Sequence, residues 1–325
     1  MDSKMSQPQP SPFHHGETTI QQRVGVAEAV VQRNARMIRS ELLAQHRTFF
    51  SNLSMLVVCI TDHDGMPWAI PLFGNPGFIQ SPSVNKLEIM ALPTLAELLK
   101  LDFMPHKKIG LLGIELHTRR RNRVNGTIQA IDINGFSVLV EQSFGNCPQY
   151  IQKRSLSWEN THANQTDIND LSLSSRLSPD AIDLIQVADT FFIGSRSKSL
   201  SSDSKEGLDV SHRGGKPGFV KLEGDTLCFP DFKGNRFYNT LGNIQSDGRV
   251  GLFFPDFKSG NTVFMTGTAD VIWDSNTLAE FEGAESIVAI QIHSSLFIER
   301  FLPMRGEVEE PSPWLKTTGT WSQYE

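Results

Sequence analysis

The stretch Lys108-Ile109-Gly110-Leu111-Leu112 recurs in the second half of the chain as Arg249-Val250-Gly251-Leu252-Phe253. Asn125-Gly126-Thr127 recurs as Thr266-Gly267-Thr268, and the separation in sequence is the same in both matches, namely that from Gly110 to Gly251. Two looser matches with slightly different separations follow the same order: Gly65-Met66-Pro67 with Gly215-Lys216-Pro217, and Met90–Pro93 with Leu227–Pro230. An ordered internal repeat dictates the architecture, so the sequence predicts two copies of one fold.

Strand signals dominate both copies. Met55–Thr61 is apolar and partly β-branched, and the residues after it, Asp62-His63-Asp64-Gly65, are typical of a hairpin turn. A predicted helix precedes the first strand of each copy: Ser40–Phe50 before Met55–Thr61, and Pro179–Ala188 before Thr190–Ser195. Helical spacing of apolar residues also extends from Thr18 to about Leu53. We therefore expect a mainly β fold with flanking helices, arranged as two tandem β-barrels.

Bulk properties exclude several classes of function. The chain has 325 residues, of which 39% are hydrophobic, enough for two ordinary domains. Its formal net charge of −6 argues against a broad basic surface for nucleic acid. No apolar run reaches the length of a membrane span, and the first dozen residues lack the apolar core of a secretory signal. Cys59, Cys147 and Cys228 are widely spaced, which indicates no disulfide framework and fits a cytoplasmic location.

The two copies differ in one loop. The first copy reads Thr94-Leu95-Ala96-Glu97-Leu98-Leu99, an amphipathic turn with capping-box spacing. The second copy has residues 231–240, Asp-Phe-Lys-Gly-Asn-Arg-Phe-Tyr-Asn-Thr, which combine cations, amide and hydroxyl donors and a glycine. Charge-assisted bonds, neutral donors and the N–H groups of a helix start are the groups that bind phosphate. The sequence thus predicts a phosphate site in the second copy only.

The residues that follow one another through the second copy resemble a known family. The run 212–220, His-Arg-Gly-Gly-Lys-Pro-Gly-Phe-Val, is followed by Phe229-Pro230-Asp231, by 234–244 and by Arg249-Val250-Gly251-Leu252. This order is similar to that of flavin-nucleotide-binding proteins related to pyridoxamine 5'-phosphate oxidase. The resemblance covers roughly Ala188 to Trp273, and Phe13–Glu17 and Ser143–Ile151 resemble segments of the longer, duplicated members.

The resemblance implies split β-barrels with FMN in a cleft between two barrels, which here share one chain as an intrachain pseudo-dimer. Transferred by position, it implies cofactor contacts from the second half at Ser195, Arg196, Arg213, Pro217, Lys233, Asn235, Arg236, Asn239 and Thr240. From the first half it implies contacts at Arg119, Arg121, Arg123, Gln142, Ser143 and Asn146. The three arginines alternate on one face if their segment is a strand. A cation at the pyrimidine edge of a flavin stabilises its anionic reduced form.

Simpler roles remain open for several of these residues. The arginines at 119–123 also suit a solvated strand face or a protected sheet edge. Arg213 also suits a hairpin, and Ser195-Arg196 a loop entrance. Cys147 is a candidate to line the cleft, whereas Cys59 and Cys228 fit small core positions. No metal site is expected, because the adjacent His14 and His15 lack the spacing of ligands on one helix face.

The expected function is that of an FMN-binding flavoprotein, an oxidoreductase that acts on an unidentified small molecule with an external electron donor. FAD, deazaflavin and haem are alternative ligands. The alternative functions are those of a haem-binding split barrel and of a non-catalytic flavin-binding or sensing protein. No G-x-G-x-x-G fingerprint or P-loop is present, so no separate nicotinamide-binding domain is expected. Oxidation of pyridoxamine phosphate itself is not expected, because the chain end lacks the basic and aromatic substrate pocket of that family. We expect no nucleic-acid or membrane partner, and either a monomeric pseudo-dimer or a homodimer.

Four segments are predicted along the chain. Residues 1–17 form a disordered or extended arm, and 18–160 form the first barrel with its N-terminal helices and a degenerate flavin site. Residues 161–296 form the second barrel with the flavin phosphate site, and 297–325 form a C-terminal arm.

Overall fold

A computed structural model describes residues 11–159 and 168–321 of the chain. Part of the predicted N-terminal arm (1–10), the predicted domain boundary at 160–161 and the chain end (322–325) lie outside the described residues. Six α-helices are described: α1 His15–Arg23, α2 Glu28–Ala35, α3 Ala44–Ser51, α4 Pro179–Val187, α5 Asn239–Ser246 and α6 Ser275–Ala279. Short 3-10 helices lie at Ile168–Asp170 and Pro313–Thr317.

The first half contains a seven-stranded antiparallel sheet. Its strands lie in the order β2-β1-β5-β6-β7-β4-β3. Their bounds are β1 Met55–Thr61, β2 Pro67–Phe73, β3 Ile79–Ser83, β4 Lys86–Ile89, β5 Lys108–Glu115, β6 Arg120–Asp132 and β7 Gly135–Gly145.

The second half contains a sheet with the same order, shifted along the chain. A short strand, β8 Ser157–Trp158, lies between the two sheets in sequence and pairs with β16 Met304–Arg305. The second sheet runs β10-β9-β13-β14-β15-β12-β11. Its bounds are β9 Thr190–Arg196, β10 Leu208–Gly214, β11 Lys221–Glu223, β12 Thr226–Phe232, β13 Arg249–Pro255, β14 Thr262–Ile272 and β15 Ala284–Ile298.

Identical strand order in the two sheets confirms the predicted fold class, mainly β with flanking helices and built from two tandem split barrels. The predicted strand Met55–Thr61 is confirmed, and the predicted helix and strand at 179–188 and 190–195 correspond to α4 and β9. Ser178 caps α4 by accepting a hydrogen bond from the N–H of Ala181 at 3.2 Å. The predicted helical stretch 18–53 is divided into α1, α2 and α3.

The strand register corrects part of the predicted alignment between the two copies of the repeat. Residues Gly74-Asn75-Pro76-Gly77-Phe78 and Gly215-Lys216-Pro217-Gly218-Phe219 follow equivalent strands, and their separation in sequence equals that from Gly110 to Gly251. In each, a Cβ on the first glycine would lie against the phenylalanine, 2.3 Å and 2.2 Å from its Cγ. The match of Gly65 with Gly215 is therefore wrong. The match of Pro93 with Pro230 is also wrong. The registers of β4 and β12 in their own sheets make Ile89, not a residue near Pro93, the equivalent of Phe229.

Close contact between the two halves explains why both copies of the repeated stretch contain a glycine. A Cβ on Gly110 would lie 2.9 Å from the backbone of Leu208 in the second half, and one on Gly251 would lie 2.1 Å from Pro67 O in the first half. Each half therefore places a glycine where the first hairpin of the other half approaches its backbone. Because β1 and β9 are covered by their own barrel and by the other half, every residue of both strands is buried.

Helix length gives one further result. Among the residues that the structure describes, no helix is both long and apolar enough to cross a membrane.

Candidate functional site

A cleft of about 810 Å³, counting its open mouth, lies between the two halves. The first half supplies Arg121, Arg123, Asn146, Cys147, Gln149 and Tyr150. The second half supplies Ser211–Gly214, Phe219, Pro230–Phe232, Gly234–Arg236 and Tyr238–Leu241. The predicted phosphate loop 231–240 therefore faces the junction of the halves.

Strand β6 carries two arginines into the cleft from the first half. Arg121 Nε donates to Cys147 O at 2.9 Å, and its Nη1 donates to His212 O at 3.2 Å. Arg123 is buried and forms an ion pair with Asp209, with 2.9 Å between Nη1 and Oδ1. Its Nη2 donates to Ser211 Oγ at 2.5 Å. Both guanidinium groups thus cross from one half to the other.

Helix α5 directs its N-terminus at the same cleft. Its N-cap, Tyr238, has φ 64° and makes no side-chain hydrogen bond to the first turn. Asn239 Oδ1 accepts a bond from Arg123 Nη1 at 3.0 Å, and Thr240 Oγ1 lies 2.8 Å from Ser211 Oγ. A helix start without a side-chain cap leaves backbone N–H groups and a partial positive charge for an anion. Side chains beside it fix the donors in place.

Two further arginines of the second half border the cleft with carboxylate partners. Arg213 pairs with Asp231 and lies 5.7 Å from the ring centre of Phe229. Arg236 pairs with Glu285 at 2.9 Å and donates from Nη1 to Tyr238 Oη at 2.6 Å. Each of these pairs is partly exposed, so a ligand can reach the guanidinium groups.

Several buried polar atoms of the cleft residues have no hydrogen-bond partner within the described chain. They are Arg123 Nε, Arg213 Nε, Asn146 Nδ2 and His212 Nε2. Leaving a buried donor unpaired costs about 1–3 kcal/mol, more for a charged group. Four such atoms around one cleft indicate a place for a ligand, or for ordered water, that supplies acceptors.

The tautomer of His212 follows from its neighbour. Its Nδ1 lies 3.4 Å from Arg121 Nη1, and a guanidinium can only donate. This contact favours the tautomer with the ring proton on Nε2. Burial, with the charges of Arg121, Arg154 and Arg213, lowers the pKa of His212 well below its usual value. His212 is consequently a neutral N–H donor at neutral pH.

Electrostatics of the cleft favour an anion. Burial and the neighbouring charge of Arg123 lower the pKa of Arg121 to about 9. Burial also lowers the pKa of Arg123, while Asp209 opposes this shift. Crowded, desolvated guanidinium groups are stabilised when an anion enters, because it offsets their repulsion and lost hydration. The chain as a whole is acidic, so this positive site is local.

Aromatic rings form one side of the cleft. Tyr150 and Phe232 have ring centres 4.9 Å apart and planes inclined at 33°. Tyr150 Oη donates to Lys233 O at 3.2 Å, which joins the first half to the phosphate loop. Asn235 Nδ2 donates to Asn146 Oδ1 at 3.0 Å and adds a second such link. Rings beside guanidinium groups suit a planar, negatively charged ligand.

The structure brings together eight of the fifteen residues predicted from sequence. They are Arg121, Arg123, Asn146, Arg213, Asn235, Arg236, Asn239 and Thr240. Cys147 also lines the cleft, as anticipated. Sequence reasoning missed Ser211 and, as individual contacts, Asp231 and Tyr238, although Asp231 and Tyr238 stand inside the quoted loop. The available signal for Asp231 and Tyr238 was their position in that loop.

The other seven predicted residues lie outside the cleft and have other surroundings. Arg119 precedes β6 with φ 55° and donates to Ile151 O, Glu310 O and Pro311 O. Arg196 Nη1 donates to Gly65 O at 3.1 Å. Lys233 is exposed in a loop, and Pro217 is exposed on a turn. Buried polar contacts occupy the remaining three: Ser195 with Asn243, Gln142 with Pro12 O, and Ser143 with His46.

The two halves also form a second groove, which is equivalent to the cleft by the internal repeat. Its residues are apolar at the positions that correspond to the cleft arginines. The separation that joins Gly110 to Gly251 places Leu72 at the position of Arg213 and Phe264 at that of Arg123. Phe301 lines this groove, with its ring centre 5.4 Å from Phe264 and 6.5 Å from Phe73. The two pseudo-equivalent grooves therefore differ in charge where their strands correspond.

Comparison with known proteins finds partial structural similarity. No family model and no curated protein matches the chain. HupZ from Group A Streptococcus is 12% identical over 42% of this chain and 98% of that chain, with a TM-score of 0.29. A candidate pyridoxamine 5'-phosphate oxidase from Lactobacillus delbrueckii is 17% identical over 38% of this chain and 94% of that chain, with a TM-score of 0.31. A complex of K. pneumonia MrkH with c-di-GMP is 12% identical over 80% and 87%, with a TM-score of 0.24.

Proposed function

We propose that the cleft binds FMN, one molecule per chain, and that the protein is a flavoprotein. The observation that carries this proposal is the ring of unpaired buried donors from Arg123, Arg213, Asn146 and His212 around one positive cleft. The order of residues 212–252 supports the choice of FMN, because it resembles FMN-binding relatives of pyridoxamine 5'-phosphate oxidase.

Individual residues have distinct proposed roles. The N-terminus of α5, with Asn239 and Thr240, holds the phosphate through N–H and side-chain donors. Arg236 contributes a charge-assisted bond from the mouth of the cleft. Arg121 and Arg213 lie further along and stabilise negative charge on the ligand, including that of a reduced flavin.

Bound FMN supplies hydride or electron transfer, and the protein supplies orientation and charge. We propose an oxidoreductase that uses an external electron donor and a small-molecule substrate, acting in the cytoplasm. His212 holds its proton on Nε2 and serves as a fixed donor in this scheme. Either a monomer or a homodimer is compatible with a cleft that one chain completes.

Purification followed by a visible spectrum and mass analysis of the released ligand tests the proposal. Flavin absorption and a mass equal to that of FMN are expected, at about one ligand per chain. A Soret band would instead identify haem, and mass separates FAD or a deazaflavin from FMN. If the purified protein is colourless, titration with FMN decides, and failure to bind it refutes the proposal.

A further inference from the structure

The N-terminal helix α1 packs against α5, the helix that borders the cleft. A Cβ on Gly16 would lie 2.1 Å from Gly242 O, and one on Gly242 would lie 2.6 Å from the Cα of Glu17. Only glycine fits such a close crossing of two backbones. His14 Nε2 also lies 2.9 Å from Asn243 Oδ1, and Gln21 Nε2 donates to Phe237 O at 3.3 Å. Helix α1 is thus a fixed support of the loop and helix at 237–243.

Glu17 stands at this crossing with only 4% of its surface exposed. Its Oε2 accepts a bond from the N–H of His14 at 2.8 Å, and its Oε1 accepts one from Asn239 Nδ2. The other atom of that amide, Oδ1, accepts from Arg123 Nη1 at 3.0 Å. A continuous chain of hydrogen bonds therefore leads from Glu17 through Asn239 to Arg123 in the cleft.

We propose that Glu17 is a positioning residue for the anion cleft: its neutral carboxyl orients Asn239 and Arg123 for the ligand, and its ionisation weakens anion binding. This inference rests on the proposed binding of FMN. Glu17 does not line the cleft, so it acts through Asn239 and not by contact with the ligand.

Burial raises the pKa of Glu17 to about 8, and the charge of Asp209 adds to this shift. The bonds from His14 and Asn239 and the charge of Arg123 oppose it. Glu17 also lines a small polar cavity. Besides Asp209, the other charged residues that line it are the ion pair Lys108–Glu141, Lys205 and Glu206. Burial lowers the pKa of His14, so His14 stays neutral above pH 7.

Ionisation of Glu17 has a direct consequence for the ligand. A carboxylate at this position attracts the guanidinium of Arg123 and repels a bound phosphate through a poorly solvated region. The phosphate of FMN has its second pKa near 6 and keeps a constant charge between pH 7 and pH 9. A fall in FMN affinity over that interval therefore reports on the protein.

The test is a titration of the full chain with FMN at pH 7 and at pH 9. Quenching of the flavin fluorescence measures binding. For the wild type we expect the dissociation constant to rise by about fivefold or more. Glu17→Gln keeps a neutral side chain of the same size, so its constant should remain within about threefold of the wild-type value at pH 7 and rise clearly less by pH 9. Glu97→Gln, an exposed site in the equivalent turn of the first half, should behave like the wild type.

A measurement on the wild type alone covers the case in which Glu17→Gln fails to fold. Calorimetry of FMN binding at pH 8, in two buffers of different ionisation enthalpy, should show net uptake of clearly more than about 0.1 proton, because a bound anion raises the proton affinity of Glu17. Arg121, with a pKa of about 9, is about nine-tenths protonated at pH 8 and can take up at most about 0.1 proton. Uptake of about 0.1 proton or less, or release, overturns the inference, as does an equal pH effect in the wild type and Glu17→Gln. Absence of FMN binding at both pH values instead overturns the proposed function, and the inference with it.

Discussion

Arg123 and Phe264 occupy equivalent positions in the two halves of the chain. Arg123 pairs with Leu112 in the first sheet, and Phe264 pairs with Phe253, the equivalent of Leu112, in the second. Arg123 forms a buried ion pair with Asp209, whereas Phe264 stacks on Phe253 with ring centres 5.1 Å apart. One groove therefore carries charge that suits a ligand, while the other is lined mainly by apolar side chains.

Loss of a cleft arginine should weaken ligand binding. Arg213→Gln removes one cation and leaves Asp231 without its partner beside the ligand. We expect the binding free energy of FMN to become less favourable by about 1.5–3 kcal/mol, the value of one hydrogen bond to a charged group. Isothermal titration measures the change. Arg249→Gln is the matched control, because Arg249 pairs with Asp247 away from the cleft, and an equal loss there would contradict the assignment.

Occupation of the cleft should protect Cys147 from alkylation. Cys147 is partly exposed and lines the cleft, whereas Cys228 is partly exposed outside it and Cys59 is buried. We expect FMN to slow the reaction of iodoacetamide with Cys147 and to leave the rate at Cys228 unchanged, as followed by peptide mass analysis. Equal rates at Cys147 with and without FMN would show that the ligand binds elsewhere.

The glycine at the crossing of α1 and α5 should not tolerate a side chain. Gly16→Ala brings a methyl group within 2.1 Å of Gly242 O, so one helix must move. We expect a loss of about 1–3 kcal/mol in the free energy of unfolding, as for other overpacked sites, together with weaker FMN binding. Gly207→Ala is the control in denaturant melts, because the nearest atom to its Cβ would lie at 3.6 Å, an ordinary contact.

Glu17 should make stability depend on pH in a defined direction. Its carboxyl has a pKa of about 8 in the folded chain and ionises near pH 4.5 when unfolded. Between these values the folded state binds the extra proton, so the free energy of unfolding falls as pH rises, by at most about 1.4 kcal/mol per pH unit. Glu17→Gln lacks this term, and its stability relative to the wild type should increase from pH 5 to pH 8. A constant difference in urea melts would be inconsistent with a buried, neutral Glu17.

The sequence was sufficient to predict the architecture, and eight of the fifteen predicted site residues line the cleft. Alternation and turn residues identified strands such as Met55–Thr61, because these signals are local. The dense donors at 235–240 predicted a binding loop for the same reason, and residues of that loop line the cleft. The repeat was misaligned at Gly65 because a short Gly-x-Pro pattern occurs both there and at Gly74, and only strand register separates the two.

What could not be predicted depends on contacts between distant segments. The proposed role of Glu17 needs Asn239, which lies in the other half of the chain. Arg119 resembles Arg121 in sequence, yet its positive φ turns it toward the carbonyl groups of Glu310 and Pro311. Phe301 lines the apolar groove from a segment whose sequence carries no marker of that role.

Covalent linkage of the two barrels has an evolutionary consequence. In an assembly of identical subunits, each replacement of an arginine by phenylalanine alters both symmetry-related grooves at once, so binding is lost wherever packing is improved. A fused chain inherits each mutation in a single copy. Arg123 and Phe264 hold equivalent positions in such a chain and are therefore free to differ, one as a cation and the other as an aromatic ring.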